Sequence, residues 1–219
     1  FWSDGAEKDR WMALPDGETI TVGDDGDWVL PVGSVLVKQF TIDEALVETR
    51  LLVRHDDGNW AGYTFAWNDE GTDAEWVSAG DTLEIGETSW SLPSTSQCLR
   101  CHTEVSGGSL GLQTEQFNGD FTYPNGKTTN QLVMLTQIGM FDTPVAIDES
   151  EAATLTALPS LEGSADTEDK ARAILHVNCA MCHQADGQGG GDSDLLYSTA
   201  LEEMNICGEL PTYGDLNIS

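Results

Sequence analysis

Two copies of one five-residue string constrain this chain more than any other feature: Cys98-Leu99-Arg100-Cys101-His102 and Cys179-Ala180-Met181-Cys182-His183. Two thiols three positions apart with an imidazole directly after them form C-x-x-C-H, the pattern by which c-type haem is attached. The spacing serves the chemistry. It lets two thiols reach the two vinyl groups of one porphyrin and brings the next side chain beneath the iron as its proximal ligand. With 5 Cys and 4 His in 219 residues, one such string is expected by chance about 0.002 times. Two copies are not a product of composition.

A four-cysteine zinc site is the competing reading. Zinc ribbons separate their pairs by about 15–20 residues, whereas Cys101 and Cys179 are 78 positions apart, and a ribbon would leave both histidines unexplained. Neither copy lies in the strand–helix alternation of a thioredoxin-like motif. The expectation is therefore two covalently attached haem c groups, bound by Cys98, Cys101, Cys179 and Cys182, with His102 and His183 as proximal ligands of the haem iron. Bacterial haem attachment takes place outside the cytoplasmic membrane, so a periplasmic or extracellular location follows, with any secretion signal removed or outside this chain. The odd thiol, Cys207, is expected to be a buried small apolar residue rather than a link between chains.

Charge narrows the partners. Against 9 Lys and Arg stand 38 Asp and Glu, a formal charge of -29 that repels nucleic acid and anionic membrane surfaces. No apolar run approaches the roughly 20 residues of a membrane span. Seven Trp, 6 Phe and 4 Tyr, placed in patterned segments, argue against disorder. The acidic coat suits either solubility in strong salt or docking of a basic redox partner, and the residues do not separate the two. Asp24, Asp25 and Asp27, and again Asp186, Asp192 and Asp194, invite a calcium reading. Neither group has the Glu at the twelfth position of an EF-hand loop, so both are read as part of the general acidity.

Two textures divide the chain. From about residue 19 to 92, β-branched and aromatic runs (Trp28 to Leu30, Ser34 to Phe40, Val47 to Arg54, Trp60 to Trp67, Thr82 to Trp90) alternate with turn clusters, which reads as an antiparallel sandwich or barrel. After Ser94, short helices and Gly-rich loops take over. Ser94 to Gln97 offers N-caps before the first motif. Leu132, Leu135 and Ile138 have helical spacing, with Gly139 marking an end. Residues 142–163 read as a linker with one short helical piece. Asp166 can cap a helix whose first turn holds Glu168 and Asp169 and which runs into Cys179. The fold class is thus α+β multidomain: a β-rich, sandwich-like N-terminal domain (1–94), then mainly helical, cytochrome c-like haem-binding segments at 95–145 and 146–219.

Several segments carry a resemblance: residues 1–8, 30–38 and 48–51, the first haem motif, Asn130-Gln131-Leu132 and Gly214-Asp215-Leu216. They are similar to a dihaem c-type cytochrome family of Gram-negative bacteria, sometimes joined to pyrroloquinoline-quinone-dependent sugar dehydrogenase domains. The resemblance implies electron transfer with redox partner proteins, a quinoprotein dehydrogenase among them. Family members continue beyond both ends, with a Met-Pro segment that resembles the distal ligand of the second haem. Here the chain stops at Ser219, so either it is a fragment or the second iron takes its sixth ligand elsewhere.

That sixth ligand decides function, since closed six-coordinate iron passes electrons and an open position binds peroxide or gas. For the first haem the distal candidates are Met134, Met140 and His55, with core packing the competing role for the methionines and solvated surface for His55. For the second they are Met204, which lies 21 residues beyond His183, and His176. His176 precedes its motif by one helical turn, so packing or hydrogen bonding is its favoured role. His55 or His176 acting in a neighbouring subunit would build a chain of haems. The reading is a dihaem electron carrier rather than a catalyst. The alternatives are a subunit of an extracellular cytochrome filament, as a homo-oligomer, and a dihaem peroxidase. The 81 residues between His102 and His183 are few for two complete cytochrome domains, which counts against the peroxidase.

Overall fold

A computed structural model describes residues 2–210; Gly214-Asp215-Leu216 lies outside the described residues. The strands are β1 (Glu7–Ala13), β2 (Thr21–Val22), β3 (Trp28–Val29), β4 (Val35–Ile42), β5 (Ala45–Arg54), β6 (Trp60–Trp67), β7 (Ala74–Trp76), β8 (Asp81–Ile85), β9 (Thr88–Leu92), β10 (Asp120–Thr122) and β11 (Thr128–Asn130). Five of them make one antiparallel sheet in the order β1-β4-β5-β6-β7, and β2–β3, β8–β9 and β10–β11 are separate two-stranded ribbons. The helices are short: α1 (Thr95–Cys98), α2 (Thr114–Phe117), α3 (Gln131–Gln137), α4 (Glu149–Ala152) and α5 (Thr167–Leu175). A π-helical turn, His176–Ala180, continues α5, and Leu201–Glu203 is a 3-10 turn.

Because side chains alternate along a strand, the register of the large sheet places three rows on its inner face. They are Lys8–Phe40–Glu48–Ala66, Arg10–Lys38–Arg50–Thr64 and Met12–Leu36–Leu52–Gly62. The β8–β9 hairpin covers the first row. Trp90 packs on Phe40 with ring centroids 5.3 Å apart and donates from Nε1 to the buried Glu48 at 3.0 Å. The opposite face carries Trp11 and Trp76, both exposed. The sandwich expectation is met only in part: the main sheet is there, but its second layer is this one hairpin. The run from Thr82 to Trp90 is that hairpin, not one strand, because Gly86 at φ 59 turns the chain between Ile85 and Thr88.

The second half departs from the mainly helical expectation. Among the described residues strands hold 29% and helices 17%, and the haem-motif segments are mostly loops around short helical pieces. Gly107, Gly108, Gly111 and Gly126 at positive φ break any helical run between the first motif and α3, a conformation that costs glycine little. Packing runs across residue 94. Ile20, Trp28 and Leu30 share one core with Leu132, Val133, Phe141, Ala146 and Ala152. Trp28, 1% exposed, sits 4.4 Å from the Phe117 ring and 5.0 Å from that of Phe141, a burial worth roughly 4 kcal/mol as an upper estimate. The second motif has its own small cluster of Ala180, Leu195 and Met204. Cys207 is exposed, not buried, since it lies past the 3-10 turn at the edge of that cluster.

Candidate haem-attachment sites

The first motif is delivered by a capped turn. Ser94 accepts from the Gln97 N–H while the Gln97 side chain accepts from the Ser94 N–H, a reciprocal cap that satisfies two orphan donors. The Pro93 carbonyl is tied to β6 by the Thr64 hydroxyl at 2.8 Å. Cys98 then lands on the inner face of the sheet at Gly62, where a Cβ would come within 2.6 Å of the Cys98 Sγ. Burial raises the pKa of both Cys98 and Cys101.

His102 closes the motif: its N–H donates to the Cys98 carbonyl at 3.1 Å, and its ring Nδ1 lies 2.7 Å from the Gly108 carbonyl. A carbonyl only accepts, so Nδ1 carries the proton and Nε2 keeps its lone pair. Burial pushes the His102 pKa down to about 4, which keeps the ring neutral near pH 7 as ligation requires. Gly108 is at φ +70, and a Cβ there would be 2.6 Å from Trp60, so the carbonyl that orients His102 needs glycine.

The second motif repeats the arrangement on an unrelated scaffold. Asp166 caps α5 by accepting from the Asp169 N–H at 2.9 Å, and the π turn carries the chain on to Cys179. The His183 N–H donates to the Cys179 carbonyl at 2.9 Å, and His183 Nδ1 is 2.9 Å from the Ser193 hydroxyl. The loop returns closely over the ring, since a Cβ on Gly189 would fall 2.7 Å from His183 Nδ1. The two motifs also converge: after burial, the nearby Cys182 thiol is the next cause raising the Cys101 pKa. Four thiols outside any disulfide and two imidazoles held by Nδ1, with no Nε2 partner among the described residues, fit the donor set of covalent haem.

The distal candidates divide. Met140 packs against the core around Trp28, whereas Met134 is half-buried on α3 and stands outside that core. His55 lies on the other side of the sheet from Cys98, exposed, with Nε2 at 2.9 Å from the Tyr63 hydroxyl. Met204 is fully buried and packs in the cluster that includes Cys179, which puts it beside the second motif. His176 has both ring nitrogens engaged. Nδ1 accepts from the Tyr197 N–H at 3.2 Å, and Nε2 donates towards Gln113 at 3.0 Å and Glu115 at 3.1 Å. No lone pair is left for iron.

Gln113, Glu115, Gly108 and Ser193 carry no motif, and only their contacts identify them. Asp27, of the first aspartate group, accepts from Gln113 at 2.6 Å, joining the β2–β3 ribbon to the same bridge. No group of three or more His, Cys, Asp or Glu side chains gathers into a metal-binding cluster among the described residues. No helix among them is long and apolar enough to cross a membrane. No family model, curated protein or solved structure matches the chain.

Proposed function

We propose that the chain is a dihaem c-type cytochrome that carries electrons in the periplasm or outside the cell. The observation behind this reading is the repeated local arrangement. Twice, on different scaffolds, a C-x-x-C-H turn closes through the first cysteine's carbonyl and the histidine's Nδ1 is hydrogen-bonded, to the Gly108 carbonyl in one and the Ser193 hydroxyl in the other, while Nε2 has no protein partner among the described residues. Such outer contacts fix ring orientation and tautomer for metal ligation. Each haem, when bound, supplies a one-electron ferric/ferrous couple.

The chain's own work is to place and tune. His102 and His183 are oriented by Gly108 and Ser193. The electrostatic influence of Cys182 on Cys101 reflects two motifs near each other, which supports electron exchange between the two haems. Met204 beside the second motif is the distal ligand the packing favours there, and Met134 the freer of the two methionines for the first. The -29 charge favours a redox partner with a basic docking face.

A spectroelectrochemical titration of the purified protein tests the reading. Reversible reduction in two one-electron events, with low-spin signals and a methionine–iron charge-transfer band in the near infrared, is the expected result. A protein with no visible haem bands overturns the assignment. A stable high-spin ferric signal would replace the carrier with a peroxidase-type enzyme.

A further inference from the structure

Four of the nine cations, Lys8, Arg10, Lys38 and Arg50, share the inner face of the sheet, and three of them are left without an ion pair. Arg50 is committed: it grips the buried Glu48 through Nε at 2.5 Å and Nη2 at 2.9 Å. Lys8, Arg10 and Lys38 make no ion pair within 4 Å among the described residues, and the hydrogen bond that the Arg10 guanidinium makes goes to the Lys8 carbonyl. Asp4 and Asp9 act on Lys8 and Arg10 only through space. Of the acids on this face, Glu48 is taken and Glu75 lies on edge strand β7, three strands from Lys38. Lys8 and Lys38 are half-buried, with Arg10 exposed beside them on the edge strand; in a chain with 38 acidic residues, half-buried lysines without an ion pair are a cost unless an anion answers them.

The row's position says which anion. Gly62, against which Cys98 rests, is in the row directly beside Arg10–Lys38–Arg50. By strand geometry, the backbones of Arg50, Lys38 and Arg10 lie about 8, 12 and 16 Å from Gly62. A porphyrin bonded through its vinyl-bearing edge carries two propionates on its opposite edge, away from the sulfurs. We infer that Lys38 and Arg10, with Lys8 beside them, bind the propionates of the haem attached at Cys98 and Cys101. This rests on the cytochrome reading above. Lys38 and Arg50 already act electrostatically on His102, which places the row within reach of the same site. Burial and the like charges of Arg10, Arg50 and Lys8 lower the Lys38 pKa to about 8, the mark of a cation lacking its counter-ion.

The test compares the parent with Arg10→Gln, Lys38→Met, the charge-keeping Lys38→Arg, and Lys127→Gln on the exposed β10–β11 turn. Covalent haem is counted in each by the pyridine haemochrome spectrum. Two haems per chain are expected throughout. One of the two redox transitions should shift towards ferric by about tenfold in Lys38→Met, and less in Arg10→Gln. The propionate bending bands of the resonance Raman spectrum should change with it, while Lys38→Arg and Lys127→Gln match the parent. Arg10 is exposed, so its variant remains informative if Lys38→Met does not fold. Two haems with unaltered transitions and propionate bands in both charge-removing variants would overturn the inference and leave the cytochrome reading intact. A parent without covalent haem would overturn both.

Discussion

Gly62 and Lys38 show how single positions on one sheet face shape the first site. Alanine in place of a mid-strand glycine ordinarily strengthens a strand. At Gly62 the added methyl would meet the Cys98 Cβ and Sγ at 2.6 Å, backed by the capped turn, so it has to displace the motif. Gly62→Ala should therefore destabilise the protein by about 1–3 kcal/mol and lower haem occupancy at the first motif, read by thermal unfolding and haem stoichiometry. Parent-like values for both would show that Cys98 does not rest on the sheet. Lys38 titrates near 8 in the fold against 10.5 for the ordinary lysine. Between those values the unfolded chain holds the extra proton, so stability withheld below pH 8 is recovered as the pH rises through 10.5. Arg10, Arg50 and Lys8 add to the penalty and Glu48 eases it. In the haem-free chain, Lys38→Met should gain about 1–2 kcal/mol below pH 8, allowing for solvent screening, and nothing at pH 10.5. A urea-unfolding series across that range checks it, and a pH-independent difference would refute it.

Elements are joined in this molecule by contacts between segments distant in sequence. His176, 5% exposed, sits where α5 passes into the π turn and binds α2 through Gln113 and Glu115. It thereby fastens the second motif's helix to the loop after the first. His176→Ala would strand the half-buried Glu115, whose pKa burial already raises, and should cost about 2–3 kcal/mol in denaturant unfolding. The haem coordination spectra should not change, because the role is structural; loss of a low-spin signal would make it a ligand. Strong local rules were legible in the sequence. The Asp166 cap, the stop at Gly139 and the β-branched and aromatic runs that form β4, β5 and β6 come from neighbouring residues and appear where expected. β1 was not legible: Glu7-Lys8-Asp9-Arg10 looks like solvated charge until its partner β4 shows that Lys8 and Arg10 face inward. The loops around both motifs were beyond reach for a related reason. Their order comes from glycines at positive φ and from tertiary partners such as Trp60 and Ser193, not from any periodicity. The motif residues themselves could be read because their chemistry is confined to five consecutive positions, whereas Gly108, Gln113 and Glu115 acquire their roles only in space.

At the scale of the whole molecule, charge is distributed unequally, with an acidic exterior around a small cationic row next to the first motif. An electron carrier with a -29 surface should exchange electrons faster with a cationic reagent than with an anionic one of similar driving force. Raising the ionic strength from 10 mM to 1 M shortens the screening length from about 30 to 3 Å and should bring the two rates together. Stopped-flow reduction measures this, and salt-independent rates would place the exposed haem edges away from the acidic surface. The central claim is chemical: two haems are joined to this polypeptide by thioether bonds. The most direct measurement is the intact mass of protein denatured and extracted with acidified organic solvent. The expected result is a coloured species at the mass of the 23.6 kDa chain plus two haem groups, whereas a colourless chain at its bare mass would contradict it.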